Sequence, residues 1–419
     1  MQIYLVGGAV RDALLGLPIK DRDWVVVGGT PQQLQAQGYV PVGKDFPVFL
    51  HPHSKEQYAL ARTERKTAPG YRGFAVDAAP DVTLEQDLAR RDLTINAMAV
   101  DAAWVRPDGR FDAGPESLTD PFHGLRDLEA RVLRHVSDAF REDPVRVLRV
   151  ARFAARFPDF TVAPQTMELM RAMVADGEID ALVPERVWQE MSRGLMEAQP
   201  SRMFELLAEC GALAALWPEL TTGRAGPANG AGAGAGAVSA AAVRSDRADA
   251  PAMRSVTLAA QLGLPLPIRF ACLCLHLTAP TNAADRAELI AQASQRLRVP
   301  LDCRALAEAT AREQAAIDHS ASLDASRLVL LLERCDAFRK PARLEDMLLA
   351  FECDALAQAD PGGRTYPQRE HLRAVLAAAQ GVQTATVAAR ASADGLSGPR
   401  VGDAIRAARV AAVGALLSA

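Results

Sequence analysis

The sequence predicts an α+β head followed by a helical remainder. Three observations carry this reading. Short apolar strands punctuated by glycine pairs occupy the first 140 or so residues, helical periodicity dominates from about Pro144 onward, and proline and glycine fall where helices start and stop. The length of 419 residues suits more than one domain. The boundaries read as a head over 1–140, a helical segment over 141–222, a low-complexity insertion over 223–254 and a second helical region over 255–419.

In chain order, Ile3–Val6 is a short apolar strand ending at Gly7-Gly8, and residues 9–16 read as a helix closed by Gly16. Trp24-Val25-Val26-Val27 is a second, buried strand stopped by Gly28-Gly29. Val48–Leu50 and Tyr58–Ala61 are weaker strand signals. Thr67–Pro80 has glycine and proline but little periodicity and reads as a mobile loop, and Leu84–Met98 reads as a helix. Helices are then expected over Val145–Phe157, Pro164–Ala175, Pro184–Met196 and Ser201–Leu216. Residues 226–236 are glycine- and alanine-rich and cannot build a core. Helical patterns resume at about 255 and run to the C-terminus.

Composition excludes several classes. Apolar residues make up 49% and charged residues 23%, ordinary values for a soluble protein. No apolar run reaches the length of a membrane span, and the N-terminus lacks the basic and hydrophobic regions of a signal peptide, so a cytoplasmic protein is expected. The six cysteines are poorly partnered by histidine and read as free buried thiols. The net charge of −4 argues against a globally basic nucleic-acid binder but leaves room for a local basic groove.

Four segments carry chemistry. Asp21 and Asp23 sit two apart at the start of a strand, so they share a face and offer oxygen ligands of the kind Mg²⁺ prefers. An acidic turn leading into a buried strand explains the same residues without chemistry. Gly7-Gly8, followed one turn later by Arg11, suits close approach of a triphosphate, although a plain strand-to-helix turn has the same glycines. Arg91, Asp92 and Asn96 are spaced to share one side of a helix, where they suit phosphate and ribose hydroxyls; a solvated helix start is the alternative. Finally Asp143-Pro144 opens a helix in which Arg146, Arg149, Arg152 and Arg156 recur on one side. A solvated face is the alternative, but little beyond Asp143 supports it, so the stripe reads as a surface awaiting an anion.

Together these motifs resemble the class II tRNA nucleotidyltransferases, the CCA-adding enzymes of the polymerase β superfamily. Gly7-Gly8 with Asp21-x-Asp23, Arg91-Asp92-x-x-x-Asn96-Ala97 and Glu142-Asp143-x-x-Arg146-x-x-Arg149 carry the resemblance over residues 1–220. It resumes weakly near Gln295–Pro300. The resemblance implies an α+β nucleotidyltransferase head followed by all-α neck, body and tail, with tRNA, ATP and CTP as partners and Mg²⁺ as cofactor. It implies that Asp21 and Asp23 are the catalytic metal ligands, that Gly8 and Arg11 contact the triphosphate, that Arg91 binds the nucleotide with Asp92 and Asn96 near the ribose, and that Asp143, Arg146 and Arg149 meet base and phosphates. Cytosine and adenine both present an exocyclic amine beside a ring-nitrogen acceptor, so Asp143 accepting and Arg146 donating would select these two bases without a template. A third carboxylate is common in the superfamily on the strand near Tyr58. Gln57 aligns with it and Glu56 is adjacent, so no third ligand is assigned.

Longer relatives carry a metal-dependent HD phosphohydrolase domain. Here Leu275 and His276 stand where its His-Asp pair would be, so no such activity is expected. A poly(A) polymerase of the same superfamily is the nearest alternative, and a non-catalytic RNA-binding protein is the alternative of a different class.

Overall fold

A computed structural model describes residues 1–42, 48–66, 74–112, 114, 116–220, 250–277, 283–359 and 365–419. Its contacts divide the chain into two compact units: Met1–Gly194 with Arg202–Leu216, and Leu195–Ser201 with Trp217–Ala419. The predicted head and the helices up to Leu216 thus belong largely to one unit.

The first unit is organised by a seven-stranded sheet. Its strands are β1 (Gln2–Val6), β2 (Asp23–Val27), β3 (Val40–Val42), β4 (Val48–Leu50), β5 (Gln57–Leu60), β8 (Ala99–Asp101) and β9 (Leu118–Thr119), in the order β3-β4-β5-β2-β1-β8-β9. β2 lies inside the sheet, antiparallel to β1 and parallel to β5, which is why Trp24, Val25 and Val26 are all buried. Val6, Val25, Leu88, Ala97 and Ala99 close the core beneath it. The register matters for function. Val6 pairs with Asp23, and Asp23 pairs with Gln57. The end of β1, the start of β2 and the start of β5 therefore meet at one edge of the sheet, where α1 (Gly8–Leu14) also begins.

Several local expectations need correction. The helix expected over Leu84–Met98 stops early: α3 spans Leu84–Ala89, Thr94–Asn96 forms one 3-10 turn, and Ala99 already belongs to β8. The cause is local. The Asp92 carboxylate accepts the Leu93 N–H (2.8 Å) and the Thr94 N–H goes to the Arg134 carbonyl (2.9 Å), bonds that compete with helix continuation. Within the expected loop Thr67–Pro80, Phe74–Asp77 is strand β7, paired antiparallel with β6 (Thr63–Lys66); residues 67–73 lie outside the described residues. Residues 223–249 of the expected insertion also lie outside them, and a helix begins at Pro251 rather than near 255.

The helices that follow the sheet are α4 (Gly124–Glu129), α5 (Val145–Arg156), α6 (Pro164–Ala175), α7 (Pro184–Leu195), α8 (Ser201–Glu209) and α9 (Ala212–Leu216). The single helix expected over Ser201–Leu216 is two, because Gly211 takes a left-handed conformation (φ +88°) that ends α8.

The second unit is helical among the described residues, with helices over Pro251–Gln261, Leu266–Cys274, Ala283–Arg296, Leu301–Asp318, Ala325–Arg334, Pro341–Gln358, Gln368–Gln380, Thr384–Ala393 and Pro399–Ser418. No helix among the described residues is long and apolar enough to cross a membrane. All six cysteines are free and buried; burial pushes the Cys210 thiol up to about 11 and those of Cys303 and Cys335 up to about 12, which leaves them inert.

Candidate active site

A cleft of about 650 Å³ opens at the sheet edge where β1, β2 and α1 meet, and α5 and α7 form its other side. It contains every residue singled out from the sequence: Gly8, Arg11, Asp21, Asp23, Arg91, Asp92, Asn96, Asp143, Arg146 and Arg149. Ten cationic side chains and five aspartates line it. Two further buried acids behind the wall, Asp87 and Glu190, still leave a positive surplus suited to a polyanion.

Asp21 and Asp23 lie at the mouth, on the lead-in and first residue of β2. Solvent reaches Asp23, yet protein crowds it on several sides. Burial raises its carboxyl above the usual range, Arg91 opposes this and Asp21 adds to it. Two carboxylates forced together beside an open cleft are an all-oxygen donor set that suits a hard divalent cation. Gln57 lies in register beside Asp23, and Glu56 is turned to Arg22 and to the Trp24 indole N–H (3.0 Å), so neither completes a carboxylate triad.

Gly7 is required by geometry. Its φ is +69°, and a Cβ there would sit 2.9 Å from Nη1 of Arg91. Arg91 is held from behind by Asp87, a wholly buried carboxylate 3.1 Å from its Nη2. Asp87 also takes Nε of Arg90 (3.0 Å) and the Arg62 N–H (3.2 Å), so one acid organises three cleft residues.

The motif residues further in are braced against one another. Arg11 is 2% exposed, gives Nε and Nη2 to Asp12 (2.9 and 2.8 Å) and Nη1 to the Asn96 side-chain oxygen (2.5 Å), and stacks over Phe153 and Phe157. The Asn96 amide nitrogen donates to Asp92 (3.0 Å). Burial alone would raise the Asp92 carboxyl, but Arg149, Asn96 and the Leu93 N–H hold it well below the usual carboxylate range. Arg149 reaches Asp92 at 2.7 Å, and that charge raises the guanidinium in turn.

The arginine stripe of α5 therefore needs correction. Its acids come from other elements: Asp92 for Arg149, Glu190 for Arg152 (2.6 Å) and Asp12 for Arg156 (2.8 Å). Arg146 gives Nη1 to the Ala139 carbonyl (2.7 Å). The stripe is thus a braced seam along the cleft wall rather than a row of unpaired charges. Asp143 is gripped by both ends of the Arg186 guanidinium (3.0 and 2.8 Å).

This arrangement has counterparts among known proteins. Residues 3–134 match the family described as poly A polymerase head domain, and residues 159–223 match the one described as probable RNA and SrmB-binding site of polymerase A. A "Multifunctional CCA protein" of Variovorax paradoxus is 57% identical, over 99% of this chain and 100% of that protein. The chain belongs to the class II CCA-adding nucleotidyltransferase family. A second family member, the "Multifunctional CCA protein" of an Acidovorax species, is also 57% identical over 99% of this chain and 96% of its own length. The Bacillus stearothermophilus CCA-adding enzyme in complex with CTP shares the fold, with a TM-score of 0.66 at 24% identity over 99% of this chain and 89% of that one. So does the Thermotoga maritima CCA-adding enzyme complexed with tRNA, at 0.56 and 23% over 91% and 79%. The head of this chain thus matches a model named for poly(A) polymerases, so head motifs alone separate the two poorly.

Sequence reasoning missed Asp12, Asp87, Arg186 and Glu190 in this family member. Two of them had a readable signal. Asp87 stands three and four residues before Arg90 and Arg91, and Glu190 stands four after Arg186 on one helix face. Asp12 and Arg156, 144 residues apart, had none.

Proposed function

We propose that this chain adds C, C and A to the 3′ end of tRNA without a nucleic-acid template, using CTP and ATP and releasing pyrophosphate. The observation that carries this reading is the meeting, in one cleft, of the Asp21–Asp23 pair with an Asp143–Arg146 edge. The first suits phosphoryl transfer and the second suits choice of a base.

The 3′-hydroxyl oxygen of the RNA attacks the α-phosphorus, the bond to the β-phosphate oxygen breaks, and the hydroxyl proton is released. Two Mg²⁺ ions held by Asp21 and Asp23 would make the hydroxyl more acidic and neutralise the leaving pyrophosphate. The chain's own groups do the rest. Gly7 and Gly8 leave room for the triphosphate, and Arg91, steadied by Asp87, supplies charge beside Asp23. Arg11, Asn96 and Asp92 keep the floor of the nucleotide site rigid, so little reorganisation accompanies transfer. Asp143 accepts from the exocyclic amine and Arg146 donates to the neighbouring ring nitrogen, a pattern that cytosine and adenine share and uracil and guanine invert.

The test is purified protein with tRNA lacking its CCA end. CTP alone should extend it by two residues, and CTP with ATP by three. Open-ended adenylation, or equal extension of unrelated RNA, would favour poly(A) synthesis instead.

A further inference from the structure

Asp143 joins the short 3-10 turn Asp138–Glu142 to α5, and its carbonyl already accepts the Arg146 N–H (2.9 Å). Arg146 is 7% exposed and its guanidinium is anchored at the Ala139 carbonyl. The Asp143 carboxylate is different. Its terminal torsion is of the broad, two-fold kind, and nothing in its own segment fixes both oxygens. The fixing comes from Arg186, near the start of α7 and 43 residues away. Nη1 of Arg186 donates to Oδ1 (3.0 Å) and Nη2 to Oδ2 (2.8 Å), while the Val145 N–H also donates to Oδ1 (3.2 Å).

A carboxylate has about four acceptor positions, two on each oxygen. These three bonds fill both on Oδ1 and one on Oδ2. We infer that Arg186 is a positioning residue for base selection, holding Asp143 so that a single acceptor position, on Oδ2, is left for the exocyclic amine of cytosine or adenine. This rests on the proposed reading of Asp143 as the base-contacting acid. The reasoning also gives the direction of error. A carboxylate released from the fork can rotate and accept from the ring N–H of uracil or guanine, the donors that its held position denies.

The experiment is competition between right and wrong nucleotides in the full-length enzyme. The ratio of kcat/KM for UTP to that for CTP is measured on tRNA lacking its CCA end, and the ratio for GTP to ATP on tRNA ending in CC. Each ratio is taken within one preparation, so partial loss of folded enzyme cancels. Arg186→Gln should raise both ratios about tenfold, within the span that bidentate base contacts provide. Arg186→Lys keeps the charge but loses the planar fork and should give a smaller rise. Asp143→Asn is the reference. If it leaves the ratios unchanged, Asp143 does not read the base and the inference falls with that reading. If Asp143→Asn raises them and neither Arg186 variant does, the positioning role alone is overturned. Equal loss of correct and incorrect addition in both Arg186 variants would likewise assign Arg186 to structural support.

Discussion

At the scale of single residues, the site separates groups open to the cleft from groups that hold them. Asp21 and Asp23 are of the first kind. Replacing either with Ala should cut incorporation by at least about 10²–10³-fold, the scale of one preorganised electrostatic group, while tRNA binding survives; filter binding and product ladders on the same samples check this. Retained turnover would remove both residues from the chemistry. Asp92 is of the second kind. Its folded pKa lies below the unfolded value of about 3.9, so its stabilising contribution is complete above that value and is lost as pH falls through the folded one. Asp92→Asn should therefore lose about 1–3 kcal/mol at pH 7, with the gap to wild type narrowing once pH drops below about 4. Urea titrations at a series of pH values would read this, and a gap that widens in acid would contradict the assignment.

At the scale of elements, α5 and α7 show why arginine spacing misled. Periodicity states correctly that the arginines share a helix face, but it is silent on what the face meets. Arg152 and Glu190 are both nearly inaccessible and 2.6 Å apart. Arg152→Met should cost about 3–5 kcal/mol, because Glu190 is left buried without its main partner. The double variant with Glu190→Gln should recover much of the loss in denaturant titrations, and no recovery would mean that packing rather than charge is at stake. α4 gives a steric counterpart. A Cβ on Gly124 would lie 2.2 Å from the Thr94 carbonyl oxygen, which is backbone and belongs to the turn that carries Asn96. Gly124→Ala should cost about 1–3 kcal/mol and weaken nucleotide binding as that turn shifts; a variant with unchanged melting temperature would contradict the close approach.

At the scale of the whole molecule, the question is whether the second unit carries chemistry of its own. His276 lies 2.5 Å from Asp354, which also accepts from Ser255 and from the Gln358 amide (3.2 Å). Burial would raise the Asp354 carboxyl, and these partners bring it below the usual range instead. The polar residues joined here are bound to one another between the helices Pro251–Gln261 and Pro341–Gln358 and the end of Leu266–Cys274, and Leu275 offers no ligand atom. No hydrolysis of 2′,3′-cyclic AMP or 2′-AMP is expected with added Ni²⁺, Mg²⁺ or Mn²⁺. Metal-dependent turnover that persists in Asp21→Ala would show that this unit is an enzyme in its own right.

The amino-acid sequence by itself determined what local rules govern. The alternation of strands and glycine pairs, the 3.6-residue period after Pro144, and the clustering of Asp21 with Asp23 or Arg91 with Asp92 all act over a few residues and survive any tertiary arrangement. The family resemblance drew its strength from these short motifs. Tertiary structure alone decided where each charge finds its partner. Asp12 meets Arg156, Asp92 meets Arg149, and Asp143 meets Arg186 across gaps of 43 to 144 residues. Tertiary contact also ended the helix at Ala89, because the Arg134 carbonyl captured the Thr94 N–H. The physical reason is the same in each case. Propensity and period act through neighbours in sequence, whereas ion pairs and captured hydrogen bonds depend on neighbours in space, which exist only once the chain has folded.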